Sequence, residues 1–483
     1  MAFMSGKNWG INSKQKMRIY KNYVLPKMTY GEELFDLAPK KYLNLLDKIQ
    51  TQALRNISGL RKSTKKELLH VITKIDPLHI RRKKKKLELY TRFIRNKNNP
   101  AGDIFKMTEE NKNTRTYKKP TLFSTTMMLK KQIKLYNTKI QNISKPYPQW
   151  TLKELNIDTE LTKQINKKTT QKPIMKRTTE EYMEQKYKSH QKIYTDASKE
   201  SNQVGVGIFY EKNNENQSLR VTNQIAITSG ELIAINEVLK ELRKLPLNYE
   251  NPICICTDSL GACQALIFNN EKQARQDITL DIIKNHTYLQ ERGINITLLW
   301  IPSHIDIEGN EIADRNANNG RIKEYIEIDC KLGYNETKSF INQMVEEIVY
   351  KKEILDNRHT KIEQFRRISP NILPRVNLEG GNKLLNRLRV GVTKFEQDNT
   401  ELFCRICKTA LTINHCLLRC KHFTTARENL KDSFFQENVE FSKENILHTA
   451  RSGKLLNSIL KFTPRTASSC PWFTHTINTK FEI

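Results

Sequence analysis

The sequence contains no long apolar run. No window reaches the ~18–20 uninterrupted apolar residues of a membrane-spanning helix, and the first residues, MAFMSGKNWG, lack the apolar core of a signal peptide. Cysteine is scarce as well: there are nine, an odd number, and none precedes Cys254. This usage argues against a disulfide framework and predicts a reducing compartment, either nucleus or cytoplasm. We therefore expect an intracellular protein with no contact to a membrane.

Acidic residues are few relative to basic ones. The chain has 82 Lys and Arg against 52 Asp and Glu, a formal net charge of +30. This excess predicts a polyanionic partner, of which nucleic acid is the commonest; a lysine-rich composition without such a partner is the alternative. Hydrophobic residues make up 37% of the 483 residues, and the mean hydropathy is -0.65. These low values favour packed domains joined by polar segments over one large globule.

The flanking regions read as helical or polar. Apolar residues at helical spacing predict helices over residues 1–100. A basic run, Arg81 to Lys86, has three interpretations: a solvated helix face, a phosphate-binding patch or a nuclear import signal. We predict a basic polar linker over residues 101–189, a helical connector over 326–400, and a tail without a readable motif over 426–483.

The region 190–325 differs from its flanks. Three short strands joined by polar turns come first, and strands then alternate with helices. Ser229 is expected to cap a helix over 230–245. The order of elements predicts an α/β fold with a mixed sheet covered by helices.

Four acidic residues in this region stand in distinctive local settings. They are Asp196 in YTDAS, Glu231 in GELIAI, Asp258 in TDSLGA and Asp314 at the end of SHIDIEGNEIAD. Their carboxylates would converge if the strands that they follow lie side by side. Converging carboxylates repel one another, whereas a hard divalent cation takes oxygen ligands. The set therefore predicts a magnesium site, with scattered surface acids as the alternative.

These motifs, in this order, resemble type 1 ribonuclease H. The resemblance implies a ribonuclease H-like mixed five-stranded sheet flanked by helices. It also implies hydrolysis of the RNA strand of RNA–DNA hybrids with two Mg²⁺ or Mn²⁺ ions, one activating water and the other stabilising the leaving oxygen. His304, ten residues before Asp314, is expected to shuttle a proton; an exposed loop histidine without a role is the alternative. Candidate contacts to the nucleic-acid backbone are Ser198, Lys199, Ser259 and Asn310.

Two positions depart from the family pattern. Ala197 and Asp306 each stand where glycine is common. We expect Ala197 to be tolerated unless its φ is positive, and Asp306 to repel the substrate or to alter the mobility of its loop. Polynucleotide integrases share the general fold and use a glutamate on the last helix, as Glu311 would be, but the surrounding motif favours the nuclease. The main alternative is a non-catalytic relic that binds nucleic acid.

A second cluster lies near the C-terminus. Cys404, Cys407, His415 and Cys420 have the ligand types that Zn²⁺ prefers, and Cys-x2-Cys is a common half of such sites. Unligated, reduced cysteines are the alternative. We predict a small zinc-knuckle-like CCHC module over residues 401–425. Substitutes for individual ligands are Cys416 and His422.

The order of these parts resembles the C-terminal end of the polyprotein of arthropod non-LTR retrotransposons. RLRVGVTKF lies between the ribonuclease H motifs and the cysteine cluster. YKNYVLPKMTYGEELFDL and LDKIQTQALRNISGLRKST resemble the thumb or connection of a reverse transcriptase. No adjacent Asp-Asp pair occurs in the sequence, so we expect the polymerase palm to be missing and no reverse transcription by this chain.

Overall fold

The structure, a computed structural model, forms two compact units. One comprises residues 1–86, 117–122 and 344–483, and the other comprises residues 87–116 and 123–343. Most of the predicted connector, including RLRVGVTKF, and most of the tail beyond residue 448 lie outside the described residues. The residues described are 11, 13–60, 62, 64–96, 98–110, 121–135, 138–143, 152–165, 169–246, 251–267, 275–347, 386, 403–404, 406–410, 412, 414–448, 455, 458–459 and 462.

The α-helices and strands of the described residues have the following bounds. The α-helices are α1 Ser13–Ile19, α2 Leu25–Met28, α3 Lys40–Ser58, α4 Lys66–Thr73, α5 Leu78–Arg95, α6 Pro100–Glu110, α7 Leu122–Gln132, α8 Leu161–Gln164, α9 Lys172–Tyr187, α10 Ile227–Leu242, α11 Leu260–Ile267, α12 Gln276–Glu291, α13 Glu308–Ile322, α14 Tyr334–Met344, α15 Thr424–Gln436 and α16 Lys443–His448. The strands are β1 Asn156–Asp158, β2 Gln191–Glu200, β3 Gln203–Tyr210, β4 Glu215–Val221, β5 Ile253–Thr257 and β6 Ile296–Trp300.

A mixed sheet is the centre of the second unit. Its strand order is β1-β6-β5-β2-β3-β4. Strands β2, β3 and β4 form the predicted antiparallel meander, whereas β1, β6, β5 and β2 run parallel. Every residue of β5 and β6 is buried, as expected for parallel strands covered on both faces. The mixed α/β prediction is confirmed: the region 190–325 supplies five strands, β2 to β6, and a sixth strand, β1, joins the sheet from the preceding segment.

Helix α13 approaches β3 unusually closely. A methyl group on Gly205 would lie 2.1 Å from the backbone nitrogen of Arg321, and one on Gly207 would lie 2.0 Å from the carbonyl oxygen of Ala313. Only glycine leaves room for such contact between two backbones. The VGVG sequence of β3 therefore sets how near α13 comes to the sheet.

The extra strand belongs to a segment that the sequence predicts to be a polar linker. Asn156 of β1 pairs with Thr297 of β6. The Asp158 carboxylate then accepts hydrogen bonds from α9: from the hydroxyl of Tyr182 at 2.7 Å, from that of Tyr187 at 2.6 Å and from the Lys186 ammonium at 2.8 Å. Residues 101–189 thus include helices and an edge strand, so the prediction of a basic polar linker was wrong for the part of this segment that the structure describes.

The start of α10 also differs from its prediction. The helix begins at Ile227, with Ala226 at the N-cap. Ser229 lies inside the first turn, where its hydroxyl donates to the Glu336 carboxylate at 2.5 Å. The predicted cap was wrong because a distant carboxylate is available to satisfy both this hydroxyl and the backbone N–H of Ala226, 2.8 Å away.

The N-terminal region is helical, as predicted. Leu54, Ile57 and Leu69 are fully buried in its apolar core. The basic run in α5 is not a uniformly solvated face, because Arg82 and Lys86 are only 4% and 2% exposed. Two further members are paired: Arg81 with Glu32 at 2.8 Å and Lys84 with Asp76 at 2.7 Å. None of the helices formed by the described residues is both long enough and apolar enough to span a membrane.

The cysteine-containing region extends past the predicted boundary at residue 425. Cys416 and Leu417 share an apolar core with Leu430 and Phe434 of α15 and with Ile446 of α16. Buried Arg427 connects the two parts, because its guanidinium donates to the carbonyl oxygens of Leu417 at 3.0 Å and Cys420 at 2.6 Å. The first residues of the predicted tail are therefore helices packed on the cluster.

Candidate active site

The acidic residues meet at one edge of the sheet. Thr195 of β2 is paired in register with Thr257 of β5, and the two strands are parallel. Asp196 and Asp258 follow these residues directly and therefore emerge side by side. Glu231 lies one turn into α10, and Asp314 lies in the second turn of α13.

The distances between the carboxylates are short. Oxygen atoms of Asp196, Glu231 and Asp258 all lie within 4.8 Å of one another. The Asp314 carboxylate is near enough for its charge to raise the pKa of Asp196. The structure thus brings together all four acids that the sequence analysis selected.

The electrostatics of this cluster are unfavourable for a set of bare anions. Burial, followed by the charges of Asp258 and Asp314, raises the pKa of Asp196 to about 8. Burial, followed by the charges of Asp196 and Asp258, raises the pKa of Glu231 well above its usual value. The nearby Ala197 backbone N–H lowers both pKa values, but it opposes these shifts only in part. A positive charge at this place would relieve the repulsion.

One carboxylate oxygen is left without a partner. Oε2 of Glu231 is buried and accepts no hydrogen bond within the part of the chain that the structure describes. A buried, unpaired oxygen next to other carboxylate oxygens matches the hard donor set that Mg²⁺ and Mn²⁺ take. The residues present therefore fit a divalent cation.

A hydrogen-bond chain that the sequence analysis missed orients Asp314. The Asn318 amide nitrogen donates to the Asp314 carboxylate and to its backbone carbonyl, both at 3.0 Å. The Asn318 amide oxygen accepts from the Ser198 hydroxyl at 2.6 Å. The only sequence signal was the spacing of four residues on one helix, which places Asn318 on the same face as Asp314.

Three of the four candidate backbone-contacting residues have partners within the protein, whereas the buried Oδ1 of Asn310 has none among the described residues. Ser198 is bonded to Asn318, and the ammonium group of Lys199 donates to the Ile225 carbonyl at 2.5 Å. The hydroxyl of Ser259 accepts from the backbone N–H of Ala262 at 3.3 Å, which caps α11. Asn310 is 3% exposed in the first turn of α13. Their contact with nucleic acid remains a prediction.

His304 lies in the turn after β6 and is exposed. Because β6 runs parallel to β5, this turn leaves the sheet at the same edge as Asp258. Two bonds join the strand ends: the Ile301 N–H donates to the Thr257 carbonyl at 3.0 Å, and the Trp300 indole donates to the Asp258 carbonyl at 3.2 Å. The structure places His304 at the acidic edge, although not among the clustered carboxylates.

The two departures from the family pattern have different consequences for the backbone. Ala197 lies within β2 and has no positive φ, which meets the condition for its tolerance. Asp306, in contrast, has φ 62°, in the left-handed region that glycine adopts most readily. Aspartate tolerates this region better than most residues, so the turn retains its shape at some cost in strain.

The cysteine cluster forms a second compact donor set. Sulfur atoms of Cys404, Cys407 and Cys420 and a ring nitrogen of His415 lie within 4.8 Å of one another. Nδ1 of His415 is bonded to the Thr409 hydroxyl at 3.1 Å, whereas its Nε2 is buried and has no partner within the described residues. Bonding of one ring nitrogen to a neighbour is the usual way in which a metal-binding histidine presents the other.

The two substitutes for these ligands lie elsewhere. Cys416 is 1% exposed and belongs to the apolar core. The ring of His422 packs against that of Phe423, with 4.9 Å between their centroids. The pKa of the Cys404 thiol falls to about 7: burial raises it, but the Cys407 backbone N–H and the His415 side chain lower it. The residues present fit a zinc ion, which binds thiolates.

The mixed sheet and the carboxylates at the ends of its strands are the features expected of a ribonuclease H-like domain. The RNase H family model matches residues 188–322, so the chain contains an RNase H domain over these residues, as the motifs predicted. The match begins after β1 and α9, which the structure joins to the same unit.

Solved structures of similar fold include an enzyme from a compost metagenome and one from an archaeon. A ribonuclease H1 isolated from compost by a metagenomic approach is 21% identical, with 28% of this chain and 96% of that chain covered and a TM-score of 0.23. The same enzyme in complex with an RNA/DNA hybrid is 21% identical, with 27% of this chain and 95% of that chain covered and a TM-score of 0.22. Ribonuclease H1 of the halophilic archaeon Halobacterium salinarum is 16% identical, with 27% of this chain and 96% of that chain covered and a TM-score of 0.21. The comparison with curated proteins gave no significant match.

Proposed function

We propose that the protein is an endonuclease that hydrolyses the RNA strand of RNA–DNA hybrids. The observation that carries this proposal is the convergence of Asp196, Glu231 and Asp258 within 4.8 Å, with the charge of Asp314 near enough to raise the pKa of Asp196. This convergence occurs inside a region that matches the RNase H family. Asp196 and Glu231 are buried, and buried carboxylates that lie close together are costly unless they serve a cation.

Each acidic residue has a defined part in this proposal. Asp196, Glu231, Asp258 and Asp314 would hold Mg²⁺ or Mn²⁺, which when bound lowers the pKa of water and neutralises charge on the phosphate. Asp196 and Glu231 must release their protons before they bind a cation, because their raised pKa values favour the neutral form. The exposed His304 imidazole would carry a proton to or from the leaving oxygen.

The test is cleavage of an RNA–DNA hybrid by the full chain with Mg²⁺, compared with Asp258→Asn. We expect the variant to lose at least about 100-fold in rate, because loss of a group that only supports a ligand already costs 10–100-fold. Asp281→Asn, on the exposed part of α12, is the matched control and should cut normally. Equal cleavage by Asp258→Asn would indicate a contaminating nuclease. A parent chain that cuts with neither Mg²⁺ nor Mn²⁺ would favour the non-catalytic relic.

We also propose that the cysteine cluster binds one Zn²⁺ through Cys404, Cys407, Cys420 and Nε2 of His415. The support is the short distances among these donors and the unpaired Nε2. Metal analysis of the purified chain should find about one zinc per chain. His415→Ala should lose this zinc and His422→Ala should keep it. A metal-free chain of equal stability would contradict the site.

For the origin of the chain, we propose the C-terminal part of a non-LTR retrotransposon polyprotein. The support is the order of an RNase H domain followed by a Cys/His cluster, together with the resemblance of the N-terminal motifs to a reverse transcriptase. In such an element the activity would remove template RNA after synthesis of the first DNA strand. Sequencing of the genomic region upstream is the test, and an unrelated gene in place of reverse-transcriptase coding sequence would contradict the proposal.

A further inference from the structure

A concave surface on the N-terminal helices carries several positive charges. It has a volume of about 520 Å³ and lies between the second half of α3, the following turn and the first residue of α4. Its charged lining consists of Lys48, Arg55, Lys62 and Lys66, and no acidic side chain lines it among the described residues. We call it the α3–α4 groove.

The sequence builds this groove through helical periodicity. Lys48, Gln52 and Arg55 are three or four residues apart and therefore share one face of α3. Leu54 and Ile57, on the other side of the helix, are fully buried. The helix ends where Gly59 adopts φ 69° and its N–H bonds the Arg55 carbonyl at 2.9 Å. The chain then turns back.

The lysines of the groove are available to a ligand. Lys48, Lys62 and Lys66 are exposed, and none of them forms an ion pair within the part of the chain that the structure describes. This contrasts with the run in α5, where Arg81 and Lys84 are already paired with carboxylates.

Arg55 is held differently from the lysines. One guanidinium nitrogen donates to the Thr64 carbonyl at 3.2 Å, which fixes the turn. Its Nε is buried and has no partner among the described residues. A buried donor of this kind costs free energy unless a ligand or water accepts from it.

The start of α4 adds to the positive potential. Lys65, at its N-cap, makes no side-chain cap to the first N–H groups of the helix. Unsatisfied N–H groups at a helix N-terminus carry a partial positive charge and favour anions. The groove therefore combines full charges on side chains with the positive end of a helix.

We propose that the α3–α4 groove binds the phosphate backbone of a nucleic-acid duplex. Its lining offers cations and amide or hydroxyl groups, which are the side chains that contact phosphate oxygens. Leu60 is the apolar residue in the lining of the groove, and no aromatic side chain lines the groove among the described residues. Proteins that grip single strands stack the bases on aromatic rings, so a surface without rings fits a duplex. The proposal holds whether or not the acidic edge is catalytic.

The test is binding of the full chain to a DNA duplex of about 20 base pairs across a salt series, which avoids hydrolysis of the probe. The groove variant is Lys48→Gln/Lys62→Gln/Lys66→Gln. The matched control, Lys14→Gln/Arg18→Gln/Lys27→Gln, removes the same charge from exposed sites outside the groove. Arg55 is left unchanged because it holds the turn. Thermal unfolding of both variants should match that of the parent.

The expected result is a change in the salt dependence of binding. Each lost phosphate contact lowers the slope of log K against log salt by about 0.9, so the groove variant should lose about 2–3 units of slope and about 10–100-fold in affinity near 0.1 M salt. The control variant should lower the slope by less than about 0.9, the value for one phosphate contact. An equal loss in both variants, or an unchanged slope in the groove variant, would overturn the proposal. Preferential loss of single-strand binding would overturn the choice of a duplex.

Discussion

At the scale of single residues, the protonation of Asp196 links the site to stability. Its pKa is about 8 in the folded protein against an ordinary value of 3.8. The folded state therefore binds a proton more tightly than the unfolded state. The contribution of Asp196 to the free energy of unfolding is therefore fully present below about pH 4 and is lost as pH rises through about 8.

A cation should reverse this loss, because it favours the ionised carboxylate. We expect Mg²⁺ to raise the melting temperature of the parent more at pH 8 than at pH 5. Asp196→Asn stays neutral and should show a flatter dependence on pH and a smaller response to Mg²⁺. Thermal unfolding in matched buffers measures both. An equal effect of Mg²⁺ at the two pH values would contradict the link.

Asn318 is expected to position Asp314 by fixing the rotamer of its carboxylate. Asn318→Ala should raise the Mg²⁺ concentration for half-maximal cleavage by about 10–100-fold, as loss of a group that orients a metal ligand typically does. Cleavage at saturating Mg²⁺ should fall less. The exposed neighbour Asn319→Ala is the control. An unchanged Mg²⁺ requirement in Asn318→Ala would exclude the positioning role.

The acids and Asn318 show what a sequence can reveal about a site. Asp196, Glu231, Asp258 and Asp314 were predictable because each lies in a recognisable local motif. Asn318 acts through a bond to Ser198, 120 residues away, and no local pattern contains that contact. At Asp306 the sequence showed only that glycine is replaced, and the positive φ became visible in the structure.

At the scale of elements, β1 is an edge strand of the sheet and is bonded to α9. Both elements precede the residues that match the RNase H family. Burial raises the pKa of Asp158, but the Lys186, Tyr182 and Tyr187 side chains lower it further, to about 2. This carboxylate contributes stability above its unfolded pKa near 4, and the contribution is lost as pH falls toward 2. The bonds to one carboxylate therefore hold α9 to the strand.

We expect Asp158→Asn to loosen this edge, because it removes the charge that strengthens three hydrogen bonds. The loss should be about 1–3 kcal/mol. Amide hydrogen exchange should then accelerate in Asn156–Asp158 and in α9 but not in β3. Glu160→Gln, at an exposed position beside the same side chains, should have a smaller effect. Unchanged exchange in β1 would refute this role.

The elements that were predicted correctly are those with a clear period. The meander consists of short apolar strands separated by polar turns, and α10 carries apolar residues at helical spacing. Strand β1 has only three residues, too few for a period of two to be visible, and its surroundings are polar. The cap at Ser229 was misassigned because the preference of serine for helix starts is local, whereas Glu336 competes from 107 residues away.

At the scale of the whole molecule, composition predicted a polyanionic partner but not the surface that meets it. The run from Arg81 to Lys86 is the strongest basic signal in the sequence, yet the structure buries or pairs several of its members. The α3–α4 groove is less visible because its charges come from a helix, a turn and the next helix.

The C-terminal cluster should behave as one folding unit with α15 and α16. Cys404, Cys416 and Cys420 belong to the same apolar core as Phe434 and Ile446. We expect a zinc-selective chelator, with Mg²⁺ in excess, to abolish exchange protection in both helices, because structural zinc contributes folding free energy directly. The RNase H domain should retain its protection. Full protection of α15 after removal of the metal would contradict this coupling.

The contact between α13 and β3 has a mechanical consequence for the acidic edge. Gly207 stands opposite Asp196 in the strand register and touches the backbone of Ala313, the residue before Asp314. No side chain lies between these two backbones, so repacking of neighbouring side chains cannot change the distance between the chain segments that carry Asp196 and Asp314. The spacing of these segments is set by van der Waals contact between main-chain atoms, which makes it a nearly incompressible dimension of the protein.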